Sequence, residues 1–217
     1  MTLIYGDSLT SGENNDFTSY VNYLGLEDYK NYAVSGTTIG NYSLYPVDKF
    51  SLYSIIEKQE EMGIFNDDID RIILAYGVND ITAAAAGNVT FRQVIYALNK
   101  VIDLLHQLVP DAEIIYILPT NRSGPLNDLC DINYKYLKDN YLKNYHEFAD
   151  PETFWDMFVS TYFELQRYLL RTFSDRLIYM IEDVDFYKKY IDTDEIHPND
   201  EGYKKIAKNI KKSNIIK

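Results

Sequence analysis

Cysteine is almost absent from this sequence: Cys130 is the only one among 217 residues. An intrachain disulfide and a metal cluster built on cysteines are therefore excluded, and the composition fits a reducing compartment. The sequence also lacks an apolar run of the ~20 residues that a membrane span needs and a charged-then-apolar N-terminal signal. We therefore expect a cytoplasmic protein, with a trimmed form of a secreted protein as the alternative.

Positive charge is the other scarce feature. There are 21 Lys and Arg residues against 33 Asp and Glu, so the formal net charge is −12. Nucleic acids and anionic membrane surfaces bind clustered Lys and Arg, and both are disfavoured as partners. The chain is 46% hydrophobic, which predicts one domain over residues 1–217 with a substantial core.

Short apolar runs alternate with helical patterns five times along the chain. Continuous apolar runs are typical of strands buried on both faces, and we expect them at 2–6, 31–34, 72–76, 114–118 and 177–181. Strands that alternate with helices predict an α/β fold, with a parallel sheet covered on both faces and right-handed crossovers.

Helices are expected between these strands, from apolar spacing of three and four residues and from capping signals. Their predicted bounds are about 14–24, 52–63, 90–109, 127–146, 151–173 and 200–212, with a helical turn or loop at 83–87. The 151–173 helix is apolar on more than one face. Three partners could cover its additional apolar surface. The 127–146 helix is favoured, and the alternatives are a second subunit in a homodimer and an acyl chain.

Ser8 directly follows the first predicted strand, in the stretch Gly6-Asp7-Ser8. Taken alone, this pattern is more often an ordinary turn. A serine becomes a nucleophile only when a base takes its proton. His197 is the plausible base, because the other two histidines lie in helical stretches. Asp194, three residues earlier, could orient the His197 ring or could merely cap a turn.

Two further loops carry residues that suit an oxyanion hole. Gly36 follows the second predicted strand and Asn79 follows the third. A backbone N–H of Ser8 or Gly36 and the side-chain NH₂ of Asn79 are donors of the required kind. Each residue alone could equally belong to a simple turn. All these loops are expected at the carboxyl edge of the sheet, where ligands bind in such folds.

Four ordered blocks resemble the motifs of the GDSL/SGNH hydrolases, and the resemblance runs from residue 3 to about residue 210. The blocks are Gly6-Asp7-Ser8-Leu9, Ser35-Gly36, Gly77-Val78-Asn79-Asp80 and Asp194-Glu195-Ile196-His197-Pro198-Asn199. The resemblance implies a flavodoxin-like, five-stranded three-layer fold and ester hydrolysis without a metal or organic cofactor. It also implies Ser8 as nucleophile, His197 as base, Asp194 behind it, and an oxyanion hole of Ser8, Gly36 and Asn79.

The chain departs from that family pattern in two places. Glu195 stands where the family commonly has glycine, and the 127–174 segment is longer than the usual single helix. Because insertions beside a site shape its pocket, the second departure leaves the substrate class open.

We therefore expect a serine esterase that removes small acyl groups, most of all O-acetyl groups from a carbohydrate. The 21 tyrosines include aromatic rings that could face sugars, although most are expected to pack on helices. The alternatives are a lipid or lysophospholipid acylhydrolase or thioesterase that uses 154–170 as a lid, and a non-catalytic binding module. A metal-dependent phosphatase using Asp7 with the pair Asp183 and Asp185 or the pair Asp192 and Asp194 is a more distant alternative.

Overall fold

The structure, a computed structural model, describes residues 1–42, 51–121, 151–181, 186–190 and 197–216. It contains the strands β1 (Thr2–Gly6), β2 (Tyr29–Asn31), β3 (Arg71–Ala75), β4 (Glu113–Asn121) and β5 (Leu177–Ile181). The helices are α1 (Ser8–Ser11), α2 (Leu52–Glu61), α3 (Val78–Ala85), α4 (Phe91–Leu108), α5 (Pro151–Phe173), α6 (Phe186–Tyr190) and α7 (Asp200–Lys212). Short 3₁₀ turns lie at Glu13–Asn15, Tyr20–Tyr23 and Ser174–Arg176.

The five strands form one parallel sheet in the order β2-β1-β3-β4-β5. The chain leaves β1 toward β2 on one side and returns to β3 on the other. This reversal opens a crevice at the carboxyl ends of β1 and β3, which is where ligands bind in such sheets. The predicted α/β architecture is confirmed, and the fully buried centres of β1, β3 and β4 explain the apolar runs.

Helices cover both faces of the sheet, so the core has two halves. One half packs α2, α3, α4 and α5 on the strands. The other packs the Tyr20–Tyr23 turn, α6 and α7. The predicted helix at 200–212 is confirmed, and it buries Tyr203, Ile206, Ala207 and Ile210 as its spacing indicates.

Helix α5 packs against α3, whose run of alanines lets the two helices approach. The predicted helix at 151–173 is confirmed. Its Phe154, Tyr162, Leu165 and Leu169 are buried, whereas Phe163 is 41% and Leu170 is 47% exposed. The 127–146 stretch lies outside the described residues, so the cover of this surface stays a prediction. None of the described helices combines the length and apolarity of a membrane span.

The predicted helix at 14–24 is wrong. The stretch forms two 3₁₀ turns instead, Glu13–Asn15 and Tyr20–Tyr23. Between them the backbone of Asp16 and Phe17 takes positive φ values of 50° and 59°, which an α-helix cannot contain. Tyr20, Val21 and Leu24 are buried as expected, but Phe17 is 72% exposed.

The second strand also begins and ends earlier than predicted, at Tyr29–Asn31 rather than 31–34. The following residues still run beside β1, because the Tyr32 N–H donates to the Ile4 carbonyl and the Val34 N–H donates to the Gly6 carbonyl. This extension brings the loop that contains Gly36 beside the end of β1.

Candidate active site

The loop after β1 places Ser8 at the carboxyl edge of the sheet. A side chain at Gly6 would put its Cβ 2.3 Å from the Thr10 hydroxyl oxygen, so glycine lets α1 fold back tightly on the strand end. Asp7 caps this helix by accepting a hydrogen bond from the Leu9 N–H at 3.1 Å. Ser8 is the first residue of α1, and the Asp7 carboxylate bonds the N–H of Leu9, not that of Ser8.

His197 reaches Ser8 from the other end of the chain. Its Nε2 lies 2.8 Å from the Ser8 hydroxyl oxygen, within the range for proton transfer. The histidine is only 9% exposed, and it stands two residues before Asn199, which caps α7 through the Gly202 N–H. The start of α7 therefore fixes the segment that carries His197. The structure thus brings together two of the three predicted triad residues.

Asp194, the predicted third member, lies outside the described residues. Asn14, which no sequence pattern pointed to, places its amide nitrogen 2.6 Å from Nδ1 and 3.3 Å from Nε2 of His197. A hydrogen bond in line with the Nδ1 lone pair would leave Nε2 well beyond contact. The amide therefore lies across the imidazole rather than in line with Nδ1, and it restricts how the ring can turn.

Asn79 lies beside the Gly36 loop, as the predicted oxyanion hole requires. It is the second residue of α3, and its Nδ2 donates to the Thr37 carbonyl at 2.9 Å. An amide NH₂ has two hydrogens, so this bond orients the group and leaves a second donor. Gly36 has φ +73°, a left-handed conformation that favours glycine.

Two buried carboxyl groups flank these donors. Asp7 precedes Ser8, Asp80 follows Asn79, and both are essentially inaccessible to solvent. Burial raises the pKa of Asp7 to about 7, with the nearby charge of Asp80 adding to the rise. Burial likewise raises the pKa of Asp80 to about 6, against hydrogen bonds from Tyr42 and Ile39. One oxygen of each group, Oδ2, is buried and has no hydrogen-bond partner among the described residues.

The raised pKa of Asp7 predicts a pH-dependent stability. Because the folded state holds this proton more tightly than the unfolded state, its contribution to stability is complete below about pH 4 and is lost as pH rises toward about 7. Asp7→Asn does not titrate. Its free energy of unfolding should therefore rise relative to the wild type by about 1–3 kcal/mol between pH 4.5 and pH 8. Urea unfolding at both pH values measures this. The exposed Asp111→Asn serves as the control, and an equal change there contradicts the prediction.

In the described part of the chain, no three His, Cys, Asp or Glu side chains lie close enough together to hold a metal ion. The aspartate pairs considered for a phosphatase, at 183 and 185 and at 192 and 194, lie outside that part.

Comparisons with solved structures agree on the fold. A protein described as a GDSL-like lipase from Parabacteroides merdae superposes with a TM-score of 0.58 at 17% identity, over 100% of this chain and 95% of that one. A carbohydrate acetylesterase family member from Sinorhizobium meliloti gives a TM-score of 0.55 at 15% identity, over 97% and 95% of the chains. A family two carbohydrate esterase from Clostridium thermocellum gives 0.56 at 14%, over 96% and 61%.

Sequence comparison identifies the family. No curated protein matches the sequence closely enough to count as a relative. The model of the GDSL-like lipase/acylhydrolase family matches residues 4–205, which include part of β1, all the other strands, and both Ser8 and His197. The chain therefore belongs to the GDSL-like lipase/acylhydrolase family and is an ester-hydrolysing enzyme.

Proposed function

We propose that this enzyme removes small acyl groups, and O-acetyl groups of carbohydrates in particular, through an acyl-enzyme formed on Ser8. The observation that carries the proposal is the 2.8 Å contact between the Ser8 hydroxyl and His197 Nε2, beside the Asn79 amide. His197 takes the hydroxyl proton as Ser8 attacks the ester carbon. Asn79, Gly36 and the Ser8 N–H then stabilise the oxyanion, and Asp194 stabilises the charged imidazole. The ester C–O bond breaks as His197 gives its proton to the departing alcohol oxygen. Water, deprotonated by His197, then attacks the acyl-enzyme and releases the carboxylic acid and free Ser8.

The floor beneath the Gly36 loop supports a small acyl group. Thr37, Tyr76, Tyr116 and Asp80 are all essentially inaccessible to solvent. Three of them are joined by polar contacts, with the Thr37 hydroxyl 3.3 Å from the Tyr76 hydroxyl and the Tyr116 hydroxyl donating to the Tyr76 carbonyl. A long acyl chain needs an open apolar channel, and the close packing of these described residues favours a small acyl group instead.

Carbohydrate as the alcohol is supported by the solved structures that share the fold, which include a carbohydrate acetylesterase family member and a family two carbohydrate esterase. At their identities of 14% and 15% they establish only the fold for this chain. Its carbohydrate specificity is therefore part of the proposal.

A lipid acylhydrolase is the second candidate, because α5 exposes apolar side chains. Phe163 and Leu170 are seven residues apart on one helix face and are both exposed. On the opposite face of the same helix, the buried Leu165 lies close to Gly77, two residues before Asn79. A long acyl chain could lie along the exposed face, and so could a second copy of the protein in a homodimer.

Nitrophenyl esters of two, four, eight and twelve carbons separate the candidates. We expect kcat/KM to be highest for the acetate and about 10-fold or more lower at eight carbons, because each methylene must fit the polar site. Activity that peaks at eight carbons or more, and that responds to detergent, contradicts the proposal and favours the lipid candidate. Acetate release from acetylated saccharides tests the alcohol. If the enzyme cleaves nitrophenyl acetate but releases no acetate from these saccharides, carbohydrate is removed from the proposal.

Surface variants test the role of α5 in the same assay. If α5 is only structural, Phe163→Ser and Leu170→Gln should leave the order of the esters unchanged, as should Met62→Gln, an exposed apolar residue at the end of α2. Selective loss of long-chain activity in the α5 variants identifies a lid. Light scattering at several concentrations shows whether the same face forms a homodimer.

A further inference from the structure

The loop that carries Gly36 is fastened to α3 by hydrogen bonds to a single carboxylate oxygen. Asp80 Oδ1 accepts from the Ile39 N–H at 2.9 Å and from the Tyr42 hydroxyl at 2.6 Å. One residue earlier, the Asn79 amide holds the Thr37 carbonyl. Two adjacent residues of α3 thus grip the loop at three points between 37 and 42.

Burying the Asp80 carboxyl group costs free energy that a neutral side chain in an ordinary structural contact would not. The Asp80 side chain is fully buried, and its second oxygen, Oδ2, has no hydrogen-bond partner in the part of the chain that the structure describes. Burying a carboxylate with unsatisfied hydrogen-bonding capacity costs several kcal/mol unless strong interactions offset it. Charge-assisted hydrogen bonds are roughly twice as strong as neutral ones and fix geometry more tightly. We therefore expect the buried Asp80 carboxylate to hold the Gly36 loop rigidly.

We propose that Asp80, together with Tyr42, is a positioning residue of the oxyanion hole. Gly36 lies three residues before Ile39, and its N–H must meet the oxyanion at about 2.7–3.1 Å to stabilise it. A loop free to move by an ångström would lose much of that stabilisation. Asp80 does not touch the substrate; it acts through Gly36 and through the Thr37 carbonyl that orients Asn79.

This inference rests on the proposed esterase mechanism but not on carbohydrate as the substrate, so nitrophenyl acetate is the probe. The first comparison is Tyr42→Phe with Tyr5→Phe. Each removes one hydroxyl that donates a hydrogen bond, to Asp80 in one case and to Gln59 Oε1 at 2.7 Å in the other. Tyr5 lies in the core, and its hydroxyl bonds a residue of α2 rather than the Gly36 loop.

We expect Tyr42→Phe to lower kcat about 3–10-fold with KM within about twofold, because one of two anchoring bonds is lost. Tyr5→Phe should lower the melting temperature but leave kcat unchanged. Asp80→Ala should lower kcat about 10–50-fold, and Asp80→Asn, which keeps an acceptor oxygen, should recover most of that loss. An unchanged kcat in Tyr42→Phe, or equal losses in the two tyrosine variants, overturns the proposal even if Asp80→Ala does not fold.

A double-mutant cycle separates positioning from general damage. In the Asn79→Ala background the oxyanion hole is already impaired, so Tyr42→Phe and Asp80→Ala should each cost clearly less than in the wild type. If each variant instead lowers kcat by the same factor in both backgrounds, a role through the oxyanion hole is contradicted. Wild-type activity on nitrophenyl acetate but not on acetylated saccharides would reject the carbohydrate proposal alone and leave this test valid.

Discussion

Replacing Ser8 with alanine should lower kcat for nitrophenyl acetate by about 10⁴- to 10⁶-fold, with the folded state intact. The hydroxyl oxygen, 2.8 Å from His197 Nε2, is the atom that forms the acyl-enzyme in our mechanism. Without it, only His197 and the oxyanion donors remain to assist direct attack by water. Since Ser8 is only partly buried at the start of a four-residue helix, its loss should change the melting temperature little.

A fluorophosphonate probe provides the direct check on Ser8. It should add one adduct mass, on the peptide that contains Ser8, and the adduct should be absent from Ser8→Ala. Ser11 lies in the same short helix and is the matched control. Ser11→Ala should keep both labelling and turnover close to the wild type. Labelling that follows Ser11, or normal turnover in Ser8→Ala, rejects Ser8 as the nucleophile.

Asn79→Ala should lower kcat by about 10²- to 10³-fold with little change in KM, the signature of a donor that acts mainly in the transition state. The side chain is already oriented by its bond to the Thr37 carbonyl, so little reorganisation accompanies the reaction. Asn88→Ala removes an exposed asparagine from the turn after α3 and should be neutral. A change confined to KM would instead assign Asn79 to ordinary substrate binding.

The sheet could be predicted because burial on both faces leaves a direct mark on the sequence. Residues 3–5 of β1, 72–75 of β3 and 114–118 of β4 form continuous apolar runs, and all of them are almost wholly buried. The edge strand β2 has no such mark, since Lys30 and Asn31 are exposed, and its bounds were misplaced. The loops at the carboxyl ends followed from the strand positions, which is why Ser8, Gly36 and Asn79 could be assigned to one edge.

Features that depend on tertiary packing were not predictable in the same way. The positive φ values at Asp16 and Phe17 break a stretch whose apolar spacing suits a helix, and the contact of Asn14 with His197 follows from that break. The burial of Asp7 and Asp80 was also missed, because aspartates in loops are usually solvated. Only the packing of the loops around both residues shows that they are enclosed.

The proposed nucleophile and its base are separated by 189 positions in the chain, yet their reacting atoms lie 2.8 Å apart. His197 stands just before α7, which also covers one face of the sheet. Almost the entire polypeptide must therefore leave the ribosome before the proposed site can assemble. We expect a truncated chain that lacks α7 to have no esterase activity, because α7 fixes the segment that carries His197.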